Sequence, residues 1–389
     1  MSRRPIARSP DLQRLRQDGY DLECKGAYLL IKDIPYANAQ RQIKRGILIS
    51  GLELADDATK KPETHVTYWT GEHPCLSTGA KMTSIENGSP AQSFGDGIQA
   101  DFTFSAKADY RDYHHKMTTY IERISGEARM IDPSVTAMTH PVHLAGEEET
   151  LFNYIDTASA RVNVGALNEK LARLRVAIVG LGGTGAYVLD FLAKTRIAEI
   201  HLFDGDVFEQ HNAFRAPGAA SIGDLRAHST KVQYWARVYG EMRAGIVAHP
   251  RFLDSSNASE LQGFDYVFLC MDSSQAKREI VAALEQMGTP FIETGMGVLR
   301  NDDQLRGLVR VVTSTPQTRN QARPHISFAD GNGAENEYST NIQIVELNAL
   351  AASIAVIRFK KLVGFYADSC HDYRCGYSIS ANEIVAEGV

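Results

Sequence analysis

The rhythm of apolar and polar positions changes near residue 150. Before that point the apolar residues come in short runs, at 27–32, 46–50, 65–69 and 98–104, and the last run alternates with period two. Runs of that length and alternation predict strands. Residues 110–124 predict a helix between polar flanks, so residues 1–150 are expected to form a small α+β domain whose topology the pattern leaves open.

From residue 174 the pattern becomes strand, helix, strand. The run Leu-Arg-Val-Ala-Ile-Val-Gly at 174–180 is nearly all apolar, as a central parallel strand covered on both faces requires. Helix is predicted over 184–194, 230–242 and 274–287, and strand over 197–203, 264–270 and 290–293. Alternation of this kind predicts an α/β fold, a doubly wound Rossmann-like sheet over residues 151–389. Residues 309–321 break it with Thr, Gln and Arg, so 310–338 is expected to be a long surface loop or crossover. A helix resumes over 341–362. Its apolar stretch, 349–357, is too short to span a bilayer and is ended by Arg358, Lys360 and Lys361.

Composition narrows the function classes. A net charge of −6, from 41 basic and 47 acidic residues, lacks the basic excess of a general nucleic-acid binder. Five cysteines in 389 residues do not make a disulfide scaffold, and the odd number leaves at least one free thiol, which suits the reducing cytoplasm. Arg3 and Arg4 near the start are followed by no apolar segment of secretory type, so a cytoplasmic protein without membrane association is expected.

The strongest chemical signal is Gly180-Leu-Gly182-Gly183-Thr-Gly185, placed directly between a predicted strand and a predicted helix. Glycines there permit a tight turn and close approach of the backbone to a phosphate, which the helix N-terminus attracts. Asp204 ends the next strand, nineteen residues after Gly185, where an acidic residue meets a ribose. To this point an NAD-dependent oxidoreductase fits as well as an ATP enzyme.

The following residues separate the two. Asp204-Gly-Asp206 leads through Asn212 and Arg215 to Lys231, and Cys270-Met-Asp272 ends a later strand. This set resembles the ThiF/MoeB/ubiquitin-activating superfamily over residues 160–365. The resemblance implies ATP-dependent adenylation of the C-terminal carboxylate of a ubiquitin-like protein, in a bacterial conjugation pathway, by an adenylyltransferase. It implies that Arg215 and Lys231 hold the phosphates, Asp272 binds Mg²⁺, Asp204 the ribose, and Asn212 supports the site. Arg161 is where the family places an arginine that reaches an ATP site, in some members a partner subunit's, and a homodimer is implied with it. Asp206 reads as a turn residue. A ThiF-like enzyme acting on a sulfur carrier or a small molecule, and a noncatalytic binding module, are the related alternatives.

The chain also departs from the family. It contains no Cys-x-x-Cys pair, so the family's structural zinc is not expected; Cys370 and Cys375 with His371 are the nearest approach. No cysteine lies in 310–338, where a thioester-forming member carries one. The enzyme is therefore expected to stop at the adenylate. Transfer through Cys370 or Cys375, or an ester on Thr313, Ser314 or Thr315, is the other option. Cys270 reads as core. In the first domain, His73 and Cys75, with His114 and His115, invite a metal or nucleophile reading against an ordinary loop. That domain, with its resemblance to bacterial proteins found beside ubiquitin-like systems, is expected to recruit the protein substrate or a conjugating enzyme.

Overall fold

The computed structural model describes residues 4–56, 58–88, 91–142, 151–156, 165–272, 275–328 and 342–388. The chain divides into two compact units, Met1–Glu148 and Glu149–Val389.

The first unit opens with helices α1 (Arg4–Arg8) and α2 (Pro10–Asp18). Its sheet contains β1 (Leu22–Lys25), β2 (Tyr28–Ala37), β3 (Ile43–Gly51), β4 (Val66–Thr70) and β5 (Phe102–Ser105), neighbours in that order and antiparallel throughout. The long helix α3 (Tyr113–Ile131) lies against β2 and buries Met117, Tyr120, Ile121 and Ile124. Asp112 caps it by accepting the His115 amide at 2.8 Å. Trp69 on β4 is fully buried in this core. Helix α2 is an element that the apolar pattern did not reveal. Its polar face is broad, and only Leu12 and Leu15 anchor its apolar side in the core.

The second unit is the α/β fold expected from the alternating pattern. In chain order it contains β6 (Arg175–Val179), α4 (Gly183–Ala193), β7 (Glu199–Phe203), α5 (Lys231–Gly240), β8 (Ile246–His249) and β9 (Tyr266–Leu269). Then follow α6 (Gln275–Met287), β10 (Phe291–Asn301), β11 (Gln304–Ser314), α7 (Val345–Leu362), β12 (Asp372–Ser378) and β13 (Glu383–Gly388). The sheet order is β8-β7-β6-β9-β10-β11-β12-β13; pairs are parallel up to β10 and antiparallel beyond it.

Strand β6 alternates between two cores. Val176 and Ile178 join α4, α5 and α7 on one face; Ala177 and Val179 join α6 on the other. Burial on both faces explains its unbroken apolar run. Trp235 on α5 belongs to the first of these cores and is 2% exposed.

The expected loop over 310–338 is corrected at its start. Arg310–Ser314 complete β11, where Val311 pairs with Thr294 of β10 and Cys375 of β12. Thr313 and Ser314 are buried in it. Residues 319–325 then form two short helical turns, and 329–338 lie outside the described residues. Arg310 and the Thr, Gln and Arg residues that follow it made the segment look solvated, although Arg310 turns toward an internal carboxylate. No helix among the described residues is long and apolar enough to cross a membrane.

Candidate active site

The chain runs from β6 out through β7 to β8, then crosses to β9 on the other side of β6. In a doubly wound sheet that reversal opens a crevice at the strands' carboxyl ends. Gly180 and Cys270 flank it, each just past its strand. Gly180 has φ +90°, and a Cβ there would lie 2.7 Å from the Cys270 carbonyl oxygen. Gly185 is held as tightly: a Cβ would stand 1.9 Å from the Gly180 carbonyl oxygen. At Gly183 it would strike the Asn348 side chain of α7. Gly182 differs, because a Cβ there would meet nothing within 4 Å. Three glycines let the loop fold, and the fourth faces open space where α4 begins.

That space is a cavity of about 580 Å³ within the second unit. Gly180, Gly182 and Gly183 line it on the loop side, and Asp204, Arg215, Lys231 and Asp272 line it from neighbouring segments. Gly185 and Asn212 are not part of the lining. Arg161 lies outside the described residues.

Asp204 is 7% exposed and braces the loop. One carboxylate oxygen accepts the Leu181 amide at 2.7 Å, the other the Asp206 amide at 2.8 Å. Asp206 does more than turn the chain. Its carboxylate pairs with the Lys231 ammonium at 2.6 Å, and its carbonyl accepts the Lys231 amide at 2.8 Å. Lys231 stands at the head of α5, its side chain 9% exposed, with Asp204 a further 3.8 Å away. Asn212 acts beside the site: its side-chain oxygen accepts the Glu209 amide at 2.9 Å, and its carbonyl accepts the Arg215 amide at 3.2 Å. It thereby sets the short helix Gln210–Ala213 that precedes Arg215.

Arg215 is the least satisfied group in the site. Its Nε is buried and has no hydrogen-bond partner, and no ion pair holds its guanidinium among the described residues. A buried guanidinium donor left unpaired is expensive unless a ligand accepts from it. Its carbonyl accepts from Asn348 Nδ2 at 3.3 Å, and Asn348 also accepts the Thr184 hydroxyl at 3.0 Å. Helix α7 therefore ties the start of α4 to the Arg215 segment.

On the other side of the crevice the cavity is lined by Lys277 of α6 and Arg310 of β11, which the apolar pattern did not single out. Both pair with Glu293 of β10. Lys277 Nζ donates to Glu293 Oε1, and Arg310 Nη2 lies 3.1 and 3.3 Å from the two carboxylate oxygens. Glu293 is fully buried. The available signal was a glutamate inside an apolar strand run, since a buried carboxylate requires cationic partners.

Asp272 is exposed at the cavity edge. Among the described residues no group of three or more His, Cys, Asp or Glu is placed to hold a metal ion. A single edge carboxylate still suits Mg²⁺, which is commonly bound by one or two carboxylates together with substrate phosphates.

The thiols are poor nucleophiles where they face chemistry. Burial pushes the Cys270 thiol up to about 12, so it stays protonated at neutral pH. Burial also raises Cys375; Cys370 is exposed. Thr315 Oγ1 contacts Thr318 Oγ1 at 3.1 Å and hydrogen-bonds to no base among the described residues. In the first unit, Cys75 is buried and its Sγ donates to the His73 carbonyl at 3.4 Å. The His73 ring packs against Phe102 and Phe104, and burial lowers its pKa. His114 Nε2 contacts Asp18 at 2.7 Å, and His115 Nδ1 accepts the Arg111 amide at 3.3 Å. These contacts make the four residues parts of packing and turn structure.

A glycine loop at a topological switch point, beside a lysine and an arginine whose Nε has no partner, defines a doubly wound α/β unit with a crevice lined by cations. The ThiF family model matches residues 156–376, and the chain belongs to that family. Residues 10–157 match a domain of unknown function (DUF6791). Among curated proteins, the adenylyltransferase and sulfurtransferase UBA4 of Saccharomyces cerevisiae is 30% identical over 132 residues, 33% of this chain and 29% of its own. The ubiquitin-like modifier-activating enzyme 5 of Branchiostoma floridae is 26% identical over 157 residues, 37% of each chain. These matches thus span only about a third of the relatives' length. Among solved structures, the microcin C7 biosynthetic enzyme MccB in complex with N-formylated MccA is similar with a TM-score of 0.45 and 20% identity, over 57% of this chain and 66% of its own.

Proposed function

We propose that the second unit binds ATP and adenylates the C-terminal carboxylate of a ubiquitin-like protein. The observation that carries this reading is Arg215, whose buried Nε lacks a partner beside the open Gly182. The names of the two curated relatives, an adenylyltransferase and a ubiquitin-like modifier-activating enzyme, support it.

The chemistry asks little proton transfer of the protein. A terminal carboxyl, with a pKa of about 3.5, is already ionised at neutral pH. One carboxylate oxygen bonds to the α-phosphorus, the bond from that phosphorus to the bridging oxygen breaks, and pyrophosphate leaves with the electron pair. The barrier comes from bringing two anions together and from charge spreading over phosphate oxygens, which positioned cations offset. Arg215 and Lys231 serve the phosphates. Asp204 holds the loop's backbone and faces the ribose. Asp272 would hold Mg²⁺ against the triphosphate, and the ion supplies further neutralisation of phosphate charge. The lack of a cysteine in 310–338 favours an enzyme that ends at the adenylate and leaves capture to a partner's nucleophile. The first unit is the proposed recruiter of that partner or of the substrate.

The test is ATP–pyrophosphate exchange with a candidate ubiquitin-like protein ending in glycine, alongside calorimetric binding of α,β-methylene ATP and of NADH. Exchange is expected, with Arg215→Ala lowering it by about a hundredfold. A protein that binds NADH and ignores the ATP analogue refutes the reading.

A further inference from the structure

Lys277, Glu293 and Arg310 form a second charged centre in the cavity. Two cations face one carboxylate, and that carboxylate is fully buried. Lys277 is 1% exposed, and the Arg310 side chain 21%. The Arg310 Nε is buried without a hydrogen-bond partner, so the guanidinium retains a donor that Glu293 does not satisfy.

The backbone is shaped to hold this arginine. Arg310 pairs in register with Gly295, and a Cβ on Gly295 would lie 2.4 Å from Arg310 Nη2. The missing side chain lets the guanidinium fold across β10 toward Glu293, two residues earlier on that strand. A larger residue at 295 would push it off.

Its place in the sheet separates it from the phosphate contacts. Glu293 is in register with Leu269 of β9, and Leu269 with Val179 of β6, the residue before Gly180. Two strand spacings put the centre about 10 Å from the glycine loop. Arg215 and Lys231 approach from the β7 side; this centre approaches from the β10 and β11 side.

We propose that the Lys277–Glu293–Arg310 centre receives the substrate's carboxylate, with Arg310 the contacting residue and Glu293 the positioning residue that aims it. The proposal rests on the adenylation reading, because that reaction brings a second anion into the same cavity. A planar guanidinium suits a carboxylate better than an ammonium does. The centre thus binds one anion while the loop binds the other, and the cavity walls keep the two aligned.

The test uses the full chain loaded with α,β-methylene ATP. Calorimetry measures binding of acetyl-glycylglycine and of its C-terminal amide, each at millimolar concentration. Wild type is expected to prefer the carboxylate by about tenfold or more, and Arg310→Met and Gly295→Ala to lose the preference. Both variants are expected to bind the ATP analogue within about threefold of wild type. Arg310→Lys, which keeps the charge and loses the fork, decides the same question if Arg310→Met does not fold. Absence of any carboxylate preference in ATP-analogue-loaded wild type overturns the proposal and leaves the ATP reading standing. Loss of ATP-analogue affinity in the Arg310 variants as severe as in Arg215→Ala makes the centre a phosphate site and overturns it too. Failure of wild type to bind the analogue removes the adenylation reading itself.

Discussion

Asp206 shows how one carboxylate can fix the position of a cation at a cavity wall. It takes the Lys231 ammonium at 2.6 Å, while its own side chain remains about half exposed. Solvent weakens such a pair, so its contribution to stability is about 1 kcal/mol or less. Its larger effect is positional, because the carboxylate holds the Lys231 ammonium in place at the cavity wall. Asp206→Ala should therefore weaken α,β-methylene ATP binding by about five- to tenfold with little change in melting temperature. Unchanged affinity in calorimetry would show that Asp206 is a counter-ion and nothing more. Residues of this kind are hard to read from sequence. Gly180 and Gly183 stand out because no other residue type fits their positions. Glu293, by contrast, meets Lys277 and Arg310 only after the sheet forms, sixteen and seventeen residues away.

At the scale of elements, helix α3 carries a cost that its pattern conceals. Lys116 faces the core of the first unit, 2% exposed, and its ammonium donates to Ser50 Oγ at 3.0 Å. Burial lowers its pKa from the ordinary 10.5 to about 8. A lysine whose folded pKa is depressed opposes folding while it is charged. The penalty is full below about pH 8 and fades toward pH 10.5, because across that window the unfolded chain holds the proton more tightly. Lys116→Met should raise the stability of the first unit at pH 7 by about 2 kcal/mol. The gain over wild type should shrink by pH 10, and a gain that does not change with pH would exclude this cause. The regular elements of the second unit were legible because period and length agreed with burial, as in β6 and α4. The end of strand β11 was not, since Arg310 and Thr313 mimic a solvated loop and its order comes from the neighbouring strands. Strands β12 and β13 gave no apolar signal, and β13 is largely exposed at the sheet's edge.

At the scale of the molecule, the change in apolar rhythm near residue 150 corresponds to two units that each carry their own core. The sequence holds only two tryptophans, and each unit has one of them. Trp69 donates its indole N–H to the Glu72 carbonyl at 3.0 Å, whereas the Trp235 N–H is buried with no partner and its ring stacks near Tyr239. The protein thus carries one intrinsic fluorescent reporter for each half, and single-tryptophan variants Trp69→Phe and Trp235→Phe separate their signals. Saturation with α,β-methylene ATP at about a hundred times its dissociation constant should stabilise the half seen by Trp235 by about 2.7 kcal/mol. The melt followed through Trp69 should not move. An equal shift in both would mean that nucleotide occupancy is felt across the whole chain, and the two emissions would then measure how strongly.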